Sequence, residues 1–218
     1  YTLVYTLSLH DALPISLDHQ GNPQPIYPTP VIGMVGFVPD VRKVCGQGWR
    51  NTGDLVYLLG SETVTLGGSD YLATVHETVA GKPPYLDVAL EKQVQFVCRE
   101  GIQQGLIHSA HDCAEGGVAV ALAESCLSGS LGVSVTLSPN ENQRWDECLF
   151  GEGASRILVS VSPDNQEAWE AFLQQNLGTS WQYLGVVQGT DLKINNTVVV
   201  SLEEMKQGYE SAIAQSIQ

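Results

Sequence analysis

The chain reads as an α/β protein of the α+β kind, a mixed-sheet α/β sandwich. Three observations predict this. Apolar runs of strand length, such as 55–59 and 156–161, are interleaved with helical periodicities over 88–102 and 117–127. Helices and strands follow one another without a simple βαβ repeat, so a purely parallel sheet is not expected. Of the 218 residues 43% are hydrophobic, enough for a sizeable core.

The elements follow in order. From Leu17 to Pro30 the chain is rich in Gly, Asn and Pro, and residues before a proline are pushed away from helix, so an extended loop is expected. Val31 to Val38 is nearly all apolar around Gly33 and Gly36, the pattern of a buried strand with close backbone approach. Asp54 to Leu59 reads as a second buried strand, left at Gly60. A composition break at Gly67-Gly68-Ser69-Asp70 places a domain boundary between 66 and 67.

Asp87 is an N-cap candidate, followed by Val88, Leu90, Val94, Val97, Cys98 and Ile102 at amphipathic-helix spacing, with the end near Gly105. Residues 107–113 read as a strand, and 117–127 as a helix apolar on nearly every side, hence buried. Strands are expected at 132–137 and 156–161, the latter after the loop Gly151 to Ser155. A helix over 164–176 follows Pro163, then strands at 181–187, 192–194 and 197–200. Ser201 and Glu204 form a capping box that opens the last helix, running toward Ile217.

Composition narrows the function classes. The net charge is −14 with no basic cluster, so the electrostatic footprint of a nucleic-acid binder is missing. The longest apolar runs fall short of a membrane span. Five cysteines, odd in number and without Cys-x-x-Cys spacing, read as reduced thiols of a cytoplasmic protein. The chain starts without Met, repeats Tyr1-Thr-Leu at Tyr5, and resembles translated sequencing adapter from Tyr5 to Ile15. Residues 1–16 are therefore set apart as a non-native leader, with native sequence expected to begin near Leu17 and to lack its upstream part.

The stretch from Ile107 to Glu124 is the richest in chemistry. A strand-like run ends in acidic residues, turns on Gly116 and Gly117, and opens into an apolar helix. Asp112, Glu115, Gly116 and Gly117 are the candidate cofactor site, with Asp112 as a Mg²⁺ carboxylate and the helix N-terminus receiving a metal-bridged phosphate. A bare phosphate would be repelled by the two carboxylates. The competing role is helix capping, in which acidic side chains complement the macrodipole by ~0.3–1 kcal/mol each. His108 and His111, three apart on a strand, point to opposite faces and read as structural rather than as a shared metal site. Thr29, between two prolines, could aim a hydroxyl at a ligand, although a rigid loop is the commoner meaning of such a segment.

Four motifs carry a family resemblance. Ile26-Tyr-Pro-Thr-Pro-Val-Ile-Gly-Met-Val-Gly36, Leu66-Gly-Gly-Ser-Asp-Tyr-Leu72, Ser109-Ala-His-Asp-Cys-Ala-Glu-Gly-Gly-Val118 and Leu149-Phe-Gly-Glu-Gly-Ala-Ser-Arg156 occur in this order. Together they resemble the C-terminal end of the phosphoribosylformylglycinamidine synthase family, synthetase subunit. The fold this implies is that of the aminoimidazole ribonucleotide synthetase C-terminal domain. Residues 17–66 would be the remnant of a second A-type domain and 67–218 the second B-type domain.

The resemblance implies ATP-dependent, amidine-forming C–N ligation in purine biosynthesis, with ATP and Mg²⁺ as cofactors. Formylglycinamide ribonucleotide is the implied substrate, and a glutaminase subunit and a small accessory subunit are the implied partners; no nucleic acid or membrane is expected. The family's catalytic residues belong to earlier parts of the protein, so none is carried onto this chain, which is expected to be inactive alone. Glu152, Ser155 and Arg156 lie in the loop that contacts substrate in the first B-type domain, and with Thr29 they are the candidate substrate-binding residues. Ala154 stands where that loop has a glutamine, which weakens direct recognition and favours a turn whose Arg156 pairs with a nearby carboxylate. The resemblance likewise favours capping at Asp112 and Glu115, because the working counterpart lies in the first B-type domain. Two rivals are a non-catalytic docking module for the glutaminase, and a selenophosphate synthetase- or thiamine-phosphate kinase-like enzyme of the same superfamily.

Overall fold

The structure is a computed structural model that describes residues 15–17, 20–25, 33, 35–141, 143–195 and 197–216, with backbone alone at 15–17, 23–25 and 213–216. The chain divides between Arg42 and Lys43 into two compact units.

In the first unit, β1 (Ile15–Leu17) pairs antiparallel with β2 (Pro23–Pro25), Ile15 opposite Pro25. Part of the expected 17–30 loop is thus a short ladder, and residues 26–30, Thr29 among them, lie outside the described residues. The buried strand expected over 31–38 is not seen where the chain is described: 35–38 is irregular, with Val35 and Phe37 each 89% exposed. Apolar side chains favour a strand, but a strand also needs a hydrogen-bonded neighbour, and no described strand pairs with this segment.

The second unit is a seven-stranded sheet with helices on both faces. Its strands are β3 (Leu55–Gly60), β4 (Ile107–Asp112), β5 (Val133–Val135), β6 (Arg156–Val161), β7 (Trp181–Val187), β8 (Asp191–Ile194) and β9 (Val198–Ser201), in the order β4-β6-β3-β7-β5-β8-β9. Neighbours are antiparallel except β5 and β8, which makes the sheet mixed, as expected.

The helices are α1 (Asp70–Val75), α2 (Val88–Gln103), α3 (Gly117–Gly129), α4 (Trp145–Phe150), α5 (Gln166–Leu177) and α6 (Leu202–Ser216). Leu55, Tyr57 and Leu59 of β3 join a core with Val94 and Val97 of α2 and Trp169 and Leu173 of α5. Val56 and Leu58 turn the other way, into a core with Val118, Leu122 and Cys126 of α3. Alternate residues of β3 therefore enter opposite cores, which is why its run is apolar throughout.

β3 lies ahead of the boundary expected between 66 and 67, and it pairs with β6 on one side and β7 on the other. Two ladders and both cores depend on β3, so 55–60 folds with the residues that follow it. The local expectations hold well at the caps. Asp87 Oδ1 accepts from Ala89 N and Leu90 N at the start of α2. Glu204 Oε2 accepts from Ser201 N while Ser201 Oγ accepts from Glu204 N, completing the capping box.

Candidate functional site

Pairing of β4 with β6 brings the two motif-bearing stretches together. Asp112 lies opposite Ile157, and Cys113 N donates to Arg156 O at 3.0 Å. The loop 113–116 that leaves β4 therefore sits beside the loop 151–155 that enters β6.

The turn into α3 requires both glycines. Gly116 has φ +76° and Gly117 φ +66°, in the left-handed region where side chains are strained. A Cβ on Gly117 would also stand 2.6 Å from Gly151 O and 2.9 Å from Leu149 O. The close approach leaves no room for another residue.

The donors that this turn exposes are already engaged. Glu152 Oε1 accepts from Gly116 N at 3.1 Å and from Asp70 N, the first residue of α1, at 2.9 Å. Gly117 N donates to Ala114 O at 3.2 Å. Glu152 is itself fixed by a backbone bridge, exchanging hydrogen bonds with Thr65 at 2.9 Å in both directions. A phosphate at Gly116 and Gly117 does not fit, because an internal carboxylate holds one donor and the preceding turn the other. In this structure the backbone donors of Gly116 and Gly117 are thus both engaged within the chain.

Asp112 and Glu115 face a cavity of about 520 Å³ also lined by Tyr71, His111, Gly116 and Phe150. Tyr71 stacks on Phe150 with centroids 4.9 Å apart and planes at 6°. The Asp112 side chain is 75% exposed, with Oδ1 3.4 Å from His111 Nδ1, and His111 Nε2 meets Glu124 Oε2 at 2.9 Å. Among the described residues no group of three or more His, Cys, Asp or Glu could hold a metal ion. Asp112 thus offers one carboxylate to this cavity, beside His111 and Glu115.

The two histidines have separate partners. His108 Nδ1 meets Asp54 Oδ2 at 2.9 Å and Asn51 Nδ2 at 3.1 Å, remote from the Glu124 contact of His111.

Ser155 and Arg156 are buried, at 9% and 7% exposure, and Ser155 has φ +60°. The carboxylate partner expected for Arg156 is not found: among the described residues it makes no ion pair, and Nη1 donates to Gly151 O at 3.5 Å. Glu152, the acid of that loop, is turned toward α1 and α3. Among the described residues, Arg156 Nε and Ser155 Oγ find no hydrogen-bond partner. Burial pushes the Cys113 thiol up to about 11, against the opposing pull of the Arg156 charge, and the half-buried Cys148 is raised with the same opposition.

Sequence reasoning omitted α1 and the Tyr71–Phe150 stack. Ser69 was the available signal: its side chain accepts from Leu72 N, an N-cap directly after two glycines.

A family model described as AIR synthase related protein, C-terminal domain, matches residues 51–195. The chain belongs to this family. The match begins ahead of β3 and so takes in the whole strand. The chain is 57% identical over 211 residues to phosphoribosylformylglycinamidine synthase subunit PurL of Nostoc sp. (strain PCC 7120 / SAG 25.82 / UTEX 2576), covering 93% of this chain and 27% of that protein. It is 60% identical over 179 residues to the subunit PurL of Cyanothece sp. (strain PCC 7425 / ATCC 29141), covering 79% and 23%. The chain spans about a quarter of the length of these curated relatives.

Among solved structures, Thermotoga maritima PurL complexed with FGAR aligns with a TM-score of 0.64 at 18% identity, over 76% of this chain and 30% of that one. PurLQS from the same organism aligns at 0.58 and 19% identity, over 80% and 29%. At those identities the likeness attests to the family's fold. No helix among the described residues is long and apolar enough to cross a membrane.

Proposed function

We propose that this chain is the C-terminal part of a phosphoribosylformylglycinamidine synthase, synthetase subunit. The 57% identity across 93% of the chain carries this reading. The whole protein would be an ATP-dependent C–N ligase of the cytoplasm. It would convert formylglycinamide ribonucleotide and glutamine-derived ammonia to the amidine, using ATP and Mg²⁺. A glutaminase subunit and a small accessory subunit would be its partners.

Within that reaction, positioning and charge neutralisation supply most of the rate, and the groups that provide them would lie outside these residues. This chain contributes architecture. Glu152 ties the start of α1, the start of α3 and the segment at Thr65 to one point. Residues 17–66 and 67–218 would correspond to the family's second A-type remnant and second B-type domain, with β3 packed into the latter. Asp112 and Glu115 would serve the helix N-terminus electrostatically.

The full-length protein should release ADP and phosphate only when formylglycinamide ribonucleotide and ammonia are both supplied. Failure of that dependence would refute the assignment. The 218-residue chain alone should show no such turnover, and Asp112→Asn in the full-length protein should leave nucleotide and Mg²⁺ affinity unchanged.

A further inference from the structure

We infer that residues 43–54 form a strap that fastens across the second unit and lets go as one piece, a conformational device placed where the two units divide. Residues 43–50 lie ahead of the matched family domain, which begins at 51, yet they are bonded to three of its elements. Lys43 Nζ donates to Gln103 O at the end of α2, at 3.0 Å. Gly46 O accepts from Ala110 N of β4 at 3.0 Å, and Trp49 N donates to Ser125 O of α3 at 3.2 Å. Gly53 N then donates to Val187 O of β7 at 2.8 Å. The fastenings recur every three or four residues along the strap, so one cannot give way without loading the next.

Two glycines show how closely the strap sits on α3. A Cβ on Gly48 would stand 2.6 Å from Gly129 N, and one on Gly129 would stand 2.3 Å from Trp49 O. Strap and helix therefore touch backbone to backbone, which only glycine permits. Trp49 locks the contact. It is 3% exposed, joins the core of Val118, Leu122 and Cys126, and its Nε1 donates to Cys126 Sγ at 3.3 Å. At the far end the buried Asp54 meets His108 Nδ1 at 2.9 Å, which returns the strap to β4.

β4 is a terminal strand of the sheet. The strap covers its outer edge at Ala110, whose N–H would otherwise be an open strand-pairing donor. Release of the strap uncovers that edge and leaves the β4–β6 ladder whole.

The test is amide hydrogen exchange of the full 218-residue chain, read by NMR, in the parent and in Gly129→Ala. Helix propensity alone would make alanine the better residue in α3, whereas the strap makes it the worse. The amides of Trp49, Gly53 and Ala110 report the strap. All three are expected to exchange about tenfold faster in Gly129→Ala, the effect of a Cβ forced into a packed contact. Cys113 and Asn195, which donate to Arg156 O and Val135 O, should keep their parent rates. Acceleration of fewer than all three strap amides overturns the inference, because the segment would not move as one piece. Equal acceleration at Cys113 and Asn195 also overturns it, because the whole unit would be loosened. Should Gly129→Ala not fold, the parent decides in rising sub-denaturing urea. Trp49, Gly53 and Ala110 should then share one opening free energy below that of Cys113, and separate values, or a value equal to that of Cys113, refute the strap.

Discussion

Glu152 Oε1 lies 3.1 Å from Gly116 N, so the N-terminus of α3 is closed by a carboxylate of the same chain. The same oxygen accepts from Asp70 N at 2.9 Å. One side chain thus answers two helix starts that would otherwise present orphan donors.

Removing that carboxylate should therefore cost stability. Glu152→Ala is expected to lose about 2 kcal/mol, the range of hydrogen bonds to a charged acceptor. Glu152→Gln keeps an acceptor oxygen and should lose less. Urea denaturation measures both, and a Glu152→Ala protein as stable as the parent would contradict the shared-cap account.

The glycines offer an internal control. Gly117→Ala combines a left-handed φ with a Cβ 2.6 Å from Gly151 O, and should destabilise by more than about 2 kcal/mol. Gly105 has φ +73° with nothing within 4 Å of an added Cβ, so Gly105→Ala should cost only about 1 kcal/mol. Equal losses in the two melting curves would show that steric contact at Gly117 is not the cause.

The buried thiols predict a pH dependence. Burial raises Cys98, Cys113 and Cys126 to about 11. Their unfolded thiols ionise near 9.0, so above that pH the unfolded state binds fewer protons and the folded state loses ground. Stability from these groups is complete below pH 9 and falls as pH rises toward 11, by on the order of 1 kcal/mol per pH unit for each thiol. Native protein at neutral pH should also leave these three unmodified by iodoacetamide, while all five cysteines react in denaturant. Rapid native labelling of Cys113 would be incompatible with its burial.

Asp87 caps α2 through two accepted hydrogen bonds. Asp87→Ala should cost about 1 kcal/mol and speed amide exchange at Ala89 and Leu90. Unchanged exchange there would argue against the cap.

Much of the fold was legible residue by residue. The periodicity after Asp87 marks α2, the apolar run from 156 marks β6, and Ser201 with Glu204 marks the start of α6. These features depend on neighbours a few residues apart. The short α1 and α4 have too few turns for a period to emerge. Residues 31–38 carry a strand's composition, yet the described part has no partner strand. The division at 66/67 followed local composition, whereas β3 is held by strands far along the chain.

The site divides the same way. Turn glycines and a helix start, which are written locally, singled out Asp112, Glu115, Gly116 and Gly117, while Glu152, Ser155 and Arg156 were singled out by the family resemblance. Sequence alone could not say that Glu152 would meet Gly116, 36 residues away, or that Arg156 would be buried without a carboxylate. Those outcomes follow from the β4–β6 register, which sets two loops side by side. Which acid faces which donor is then a matter of three-dimensional distance, and hydrogen bonds are decided over a few ångströms of space rather than by spacing along the chain.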